Sequence, residues 1–420
     1  MSDLELRTLP TTDDPTPENI AWLQAVALGF HGQSLTDEQL KRWNSEAHRQ
    51  GMRARGVYRS DLPEGAYPGP VGTFMSYDAL VNTGGGHLET ANLISDVTVR
   101  ASHRRRGILR TMMTADLTEA HERGLAFASL TVTEAVIYGR FGFGVSSLHQ
   151  HVELDVTHDF ALRHQPTGHC EIVDARSEWV MDQRDALFRK TLERTRGAHD
   201  RQLFYRDRLS GAWDYDQGGE NRKLRTVAHW SQAGELDGMA TFEYGDWTDH
   251  ELVINDLVAL TPQAELALWD HLGHHDLVRK VTWRVANPHS PLRWALVDSR
   301  RLEVKGHRDC TWLRVLDPVR ALSVRGWRDD GTVVIDVADD LGFAAGRFRI
   351  TVEGGTASVE RTHDEPDAHL GVQELGSLYF GVVEPSTLAA AGRVHGTPEA
   401  IARLDDLFEV DDQAFNNSHF

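Results

Sequence analysis

Residues 97–110, VTVRASHRRRGILR, run from an alternating apolar strand through three consecutive arginines and a glycine into a helix. Over 105–123 the apolar Ile108, Leu109, Met112, Met113 and Leu117 share one side, the period of an amphipathic α-helix. A strand feeding a helix through so short a junction marks a mixed α/β unit. A helix N-terminus presents unpaired backbone N–H groups and the positive end of the helix dipole. A glycine there lets a bulky anion approach the backbone, and neighbouring arginines add charge-assisted hydrogen bonds. Arg104-Arg105-Arg106-Gly107 therefore reads as a pyrophosphate-binding device, with the backbone of Val97 to Val99 open to an extended ligand. It is neither a Walker loop, since no Gly-Lys-Ser/Thr follows, nor a Rossmann fingerprint. The plain alternative for a bare Arg-x-x-Gly is a solvated basic turn; its place between strand and helix favours the ligand.

The surrounding chain fits such a unit. PENIAWLQAVALGF carries Ile20, Leu23, Val26, Ala27 and Phe30 at helical spacing, and a second helix runs from Thr36 to about Arg49, with Thr36 and Gln39 as a capping box. RARGVYRS, PVGTFMSYDALV and HLETANLISDVTV read as strands broken by Gly/Pro turns. AFASLTV is a further strand, EAVIYGRFGF a short helix and loop, and HVELDV a strand leaving the unit.

The middle of the chain repeats the pattern in degraded form. VGTFMSY (71–77) resembles DGMATFEY (237–244), and ISDVTV with its helix resembles INDLVALTPQAELALWDHL (254–272). The second copy has TPQAEL where the first has Arg-x-x-Gly, the mark of a duplication in which one half kept the chemistry. From about Cys310, LSVRGW, TVVIDVAD, RFRITVEG and ASVERTHD read as short strands, followed by helical patterns from Gly371 to about Tyr379, in STLAAAGRV and in TPEAIARLDDLF. The boundaries expected are 1–155, 156–305 and 306–420. A chain of 420 residues is too long for one ordinary core, which agrees with three units.

Charge and cysteine content narrow the partners. The formal net charge is −19, so the arginine cluster is a local exception, and an acidic surface is a poor general binder of nucleic acid. It attracts cations where the charge gathers at a cleft. Two distant cysteines, Cys170 and Cys310, build no disulfide framework and fit a cytoplasmic setting. Neither a secretory signal nor an apolar stretch of membrane-spanning length is evident. His271, His274 and His275 share helical spacing without a further ligand cluster, so no metal is expected.

Strand, then (Q/R)-x-x-G-x-(G/A), then helix resembles the acetyl-CoA signature of the GNAT N-acetyltransferases, with Arg104 first and Gly107 fourth. Leu109 departs from the sixth position. VTVRASHRRRGILRTMM together with EAVIYGRFGFG resembles the Eis (enhanced intracellular survival) branch, where that departure is usual. GDWTDHELVINDLVAL is similar to that branch's eroded second GNAT-like half. WLRVLDPVRAL, GRFRITVEGG, LGSLYFG and LAAAGRV are similar to its sterol-carrier-like C-terminal domain. The resemblance implies an α/β (α+β) chain of two tandem GNAT-like mixed-sheet domains followed by a sterol-carrier-protein-like domain. It implies acetyl-CoA held by Val97, Thr98 and Val99, by Arg105, Arg106, Gly107, Ile108, Leu109 and Arg110, and by Thr133 and Glu134. It also implies a homohexamer that acetylates several amines of aminoglycosides, or lysine side chains.

Acetyl transfer to an amine needs a neutral amine, a polarised carbonyl and a proton for the departing thiolate. Tyr138 follows the strand that would flank the thioester, and a phenol of pKa about 10 is protonated at neutral pH, which suits it as general acid. The resembling enzymes use the chain's own terminal carboxylate as general base, which here is that of Phe420. A frayed tail is the ordinary alternative, and His419 is a second conceivable base. Trp22, Phe30 and Trp43 are candidates to wall the acceptor pocket, and Asp96 and His419 to contact a substrate ammonium. The reading is direct acetyl transfer from acetyl-CoA to a polycationic amine, aminoglycoside-like or a polyamine. A protein-lysine acetyltransferase and a non-enzymatic acyl-CoA or lipid binder remain as alternatives.

Overall fold

The structure is a computed structural model, and it describes residues 4–215, 217–245 and 248–420. Asp246 and Trp247 of GDWTDHELVINDLVAL lie outside the described residues. Three sheets organise the chain. The first has seven strands in the order Leu4–Leu9, Arg53–Arg59, Gly72–Gly84, His87–Val99, Phe127–Thr131, Thr311–Val315 and Gly144–Val145. The second, read from its far edge, has His169–Val173, Arg225–Trp230, Leu236–Tyr244, Glu251–Ala259, Lys280–Ala286, Leu148–Asp155 and Leu302–Asp309. The third has five strands between Gly331 and Gly396, covered by helices that include Val372–Tyr379 and Pro398–Phe408.

The first two sheets trade strands. Leu148–Asp155 leaves the first unit and pairs with Lys280–Ala286 in the second sheet. Thr311–Val315 returns to pair with Phe127–Thr131 in the first. The expected boundaries at 155/156 and 305/306 are therefore corrected: each sheet is completed by a strand from beyond its own segment. Alternation marks a strand but does not name its partner; Trp312 packs in the apolar cluster under the first sheet, while Leu313 and Val315 join a cluster that continues into the third unit. LSVRGW is also corrected. Asp317 caps a helix, Pro318–Ser323, by accepting from the N–H of Arg320, so Leu322 and Ser323 end a helix rather than start a strand.

Local chemistry explains the elements around the first sheet. Thr36 and Gln39 form the expected capping box for Asp37–Arg49, and Thr16 and Asn19 form another for Pro17–Gly29. The helix Ile108–Glu122 begins three residues later than its apolar period implies, because Arg105 and Gly107 adopt positive φ, 63° and 79°. A buried polar cluster ties that helix to the sheet. Asp116 accepts from Arg55 at 2.5 Å, from Ser76 at 2.5 Å and from Asn92 at 2.6 Å. A buried charge so fully satisfied fixes orientation, and removing one partner leaves the other uncompensated. Among the described residues no helix is long and apolar enough to cross a membrane.

Candidate active site

The site grows out of a break in the first sheet. His87–Val99 and Phe127–Thr131 pair in parallel from Ala91–Phe127 to Ile94–Leu130, and no further. Against its other neighbour the same strand carries a register shift between Thr73 and Met75, with Asp96 at φ 50°. A bulge re-aims side chains and ends pairing, and here it parts the two strands. Ser95 and Asp96 face one cavity while Val97, Thr98 and Val99 face another.

The second of these cavities has a volume of about 530 Å³. The strand residues Val97 to Val99 form one wall and Thr133, Glu134 and Tyr138 another. Arg105, Gly107, Ile108, Leu109 and Arg110 close it at the helix start, where no side chain caps the free N–H groups. A Cβ on Gly107 would meet nothing, but its φ of 79° disfavours any other residue. Arg106 is not in the lining; its charge acts on Asp61 and His103 instead. The positive φ of Arg105 turns consecutive side chains apart, which spacing alone does not reveal. Arg104, Arg140, His103, Ile137, Phe141 and Gly29 also line the cavity. Gly29 had no sequence signal of its own, yet a Cβ there would sit 2.4 Å from Thr98.

These residues fit acetyl-CoA. The cavity holds four guanidinium groups against the single carboxylate of Glu134, next to an uncapped helix N-terminus. The buried Nε2 of His103 has no hydrogen-bond partner. A pyrophosphate would supply what these donors lack. Tyr138 is 7% exposed; burial raises its phenol pKa, with part of the rise offset by a hydrogen bond to Thr133. It remains a proton donor at neutral pH.

The first cavity, of about 280 Å³, lies between the two GNAT-like units. Trp43, Glu46, Met52 and Asp96 come from the first unit, and Gln202, Phe204, Arg208, Asp214 and Tyr215 from the second. The chain's end, His419 and Phe420, closes it. Burial pushes the Asp96 carboxyl up to about 7. Burial also raises Glu46, which accepts a hydrogen bond from Tyr215. Burial, His149 and Arg208 push His419 down to about 4, so its ring is neutral. Two expected wall residues are elsewhere. Trp22 is buried behind Trp43, and its Nε1 donates to the Arg55 carbonyl at 2.7 Å. Phe30, at the end of its helix, lines the acetyl-CoA cavity instead.

The tail is docked along its length. The Asn416 side chain accepts from the His199 N–H at 3.1 Å and donates to the Ser418 carbonyl at 2.6 Å. The His419 N–H donates to the Tyr205 hydroxyl at 2.7 Å. The Phe420 ring packs near Tyr77 and His199, and its oxygen accepts from the Thr131 hydroxyl at 2.6 Å. Thr131 ends the strand that leads into Thr133 and Glu134, so the tail oxygen lies at the seam between the two cavities.

Residues 17–146 and 197–315 each match the acetyltransferase (GNAT) domain family, and 318–416 match the sterol carrier protein domain. An uncharacterized N-acetyltransferase of Streptomyces avermitilis is 36% identical over 80% of this chain and 82% of its own length. N-acetyltransferase Eis of Mycobacterium tuberculosis is 29% identical over 83% of this chain and 86% of its own. The crystal structure of Eis1 from Mycobacterium abscessus superposes with a TM-score of 0.82 at 28% identity, covering 99% of this chain and all of that one. The chain belongs to the Eis family of GNAT N-acetyltransferases. This Eis-family enzyme transfers acetyl groups to amines, and GNAT acetyltransferases take the acetyl group from acetyl-CoA. Its architecture is two GNAT domains followed by a sterol-carrier-like domain.

Proposed function

We propose that the enzyme acetylates primary amines of a polycationic small molecule, aminoglycoside-like or a polyamine, with Tyr138 as general acid and the Phe420 α-carboxylate as general base. The observation that carries this reading is the opposite charge of two cavities that share one strand. The acetyl-CoA side is lined by arginines, and the acceptor side, among the described residues, by Glu46, Asp96 and Asp214 against Arg208. A bound cation favours the ionised form of a neighbouring carboxyl, so the part-protonated Asp96 would ionise as an ammonium group enters.

Acetyl-CoA supplies an activated thioester. The chain's residues do the rest. Carboxylates hold the acceptor's remaining ammonium groups, which orients one amine toward the seam. The Phe420 carboxylate, held by Thr131 and ionised at neutral pH, takes the proton from that amine directly or through water. Tyr138, on the acetyl-CoA side, holds a proton for the leaving sulfur. Neither cysteine is called for: Cys310 is buried and Cys170 lines neither cavity.

Thiol release is the test, measured with aminoglycosides, polyamines and lysine peptides, followed by product mass spectrometry. Turnover with the polycationic small molecules is expected, with more than one acetyl group added. Turnover confined to lysine peptides would move the reading to a protein substrate. Acyl-ligand binding without turnover on any amine would remove the acetyl-acceptor reading.

A further inference from the structure

Behind the acceptor cavity three side chains from three parts of the chain converge. They are His149 on Leu148–Asp155, Cys310 in the link between two strands of different sheets, and His419 in the tail. One ligand atom from each lies within 4.8 Å of the other two. Cys310 is 3% exposed, and among the described residues the buried Nδ1 of His149 has no hydrogen-bond partner. The surroundings favour a sulfur that accepts: the Asn416 amide donates toward Sγ at 3.9 Å, and Ser147 also hydrogen-bonds it.

We propose that His149, Cys310 and His419 bind a borderline-soft divalent cation, zinc(II) by preference, which clamps the C-terminal tail to both exchanged strands. Two imidazoles and one thiolate are a zinc donor set, and three protein ligands leave a fourth position for water. A tetrahedral zinc ion with bonds of about 2.0–2.3 Å spaces its ligand atoms about 3.3–3.6 Å apart. Contraction from within 4.8 Å is a matter of side-chain rotation. Binding forms one metal–sulfur and two metal–nitrogen bonds, breaks the S–H bond, and releases that proton to solvent. His271, His274 and His275 are not part of the cluster; the Nδ1 atoms of His274 and His275 lie at hydrogen-bond distance from backbone carbonyls of their own helix.

The site does not depend on the role given to Phe420, and the test needs no turnover. Full-length chain, stripped with chelator, is titrated with zinc(II) and with cobalt(II). One zinc per chain is expected, with release of one proton and a cobalt–thiolate charge-transfer band. In the cleared, zinc-loaded chain, removal of Phe420 by a serine carboxypeptidase, followed by mass spectrometry, should slow markedly. Cys310→Ser and His149→Ala should weaken zinc binding by about 100-fold or more, since even outer-shell changes cost about 10–100-fold. Absence of the thiolate band in the unaltered chain overturns the site without recourse to any variant. A thiolate band with unchanged loss of Phe420 overturns the clamp.

Discussion

In both GNAT domains the parallel pairing of two central strands stops at an isoleucine, Ile94 against Leu130 and Ile254 against Trp283. In both an aspartate follows two residues on, and a helix begins about a dozen residues after that isoleucine or sooner. What differs is how the exposed polar groups are met. Asp256 is ion-paired with Arg201 at 2.5 Å and receives Asn417 at 3.3 Å; the Asp96 carboxyl is instead raised by burial. Thr261 caps its helix by accepting from Ala264, with Pro262 in the first turn; Gly107 offers its helix no side-chain cap. The second GNAT domain satisfies these groups internally, and the first leaves a carboxylate and a set of N–H groups without such partners.

Four substitutions and one extension probe this contrast, in decreasing order of expected effect. Tyr138→Phe should lower kcat by about 10²–10⁴-fold while leaving the acetyl-CoA Kd unchanged; unchanged turnover would remove its role as acid. Residues appended after Phe420 should lower kcat by about 10²-fold or more, through loss of the terminal carboxylate as base. Full activity in such an extended chain would sink that assignment. Arg105→Ala should raise the acetyl-CoA Kd about tenfold, or about 1.4 kcal/mol, as read by calorimetry. An unaltered Kd would make the arginine a bystander.

Asp96→Asn sharpens the contrast through pH. The carboxyl is raised from 3.8 to about 7, so the folded chain holds a proton that the unfolded chain has lost in that window. Stability of the unaltered chain, relative to Asp96→Asn, should therefore fall as pH rises from about 4 to about 7. Urea unfolding across that range checks it, and a flat difference would mean that Asp96 is not strained by burial. The smallest effect is expected from Thr261→Ala, which should cost about 1 kcal/mol of stability as a lost cap and leave acetyl-CoA binding untouched. A changed acetyl-CoA Kd in that variant would show that the second half still takes part in binding.

What the sequence made legible was local. Val97 to Val99, Gly107 and Tyr138 sit within one strand–helix–strand run, so pattern and chemistry coincide within about forty residues. Thr36 announced its own helix. The cavity between the two GNAT domains was not legible, because Gln202, Phe204 and Tyr215 reach it from another domain and carry no motif. Trp22 and Trp43 share the spacing of pocket-facing aromatics, but the indole of Trp22 is turned inward by its bond to the Arg55 carbonyl. Arg106 was indistinguishable from Arg105 until the positive φ of Arg105 separated them. The tail gave only an aromatic end; its docking depends on Tyr205, His199 and Thr131, which are far away in sequence.

The exchanged strands also set a schedule. Until the ribosome has made Thr311–Val315, Phe127–Thr131 lacks its neighbour on that side, and an unpaired edge is an invitation to aggregation. Nor can the second GNAT domain be pruned cleanly by deletion: without Lys280–Ala286, Leu148–Asp155 would lose one of its two neighbours. The second GNAT domain is thereby tied to the first, whose sheet is finished only by a strand made after it.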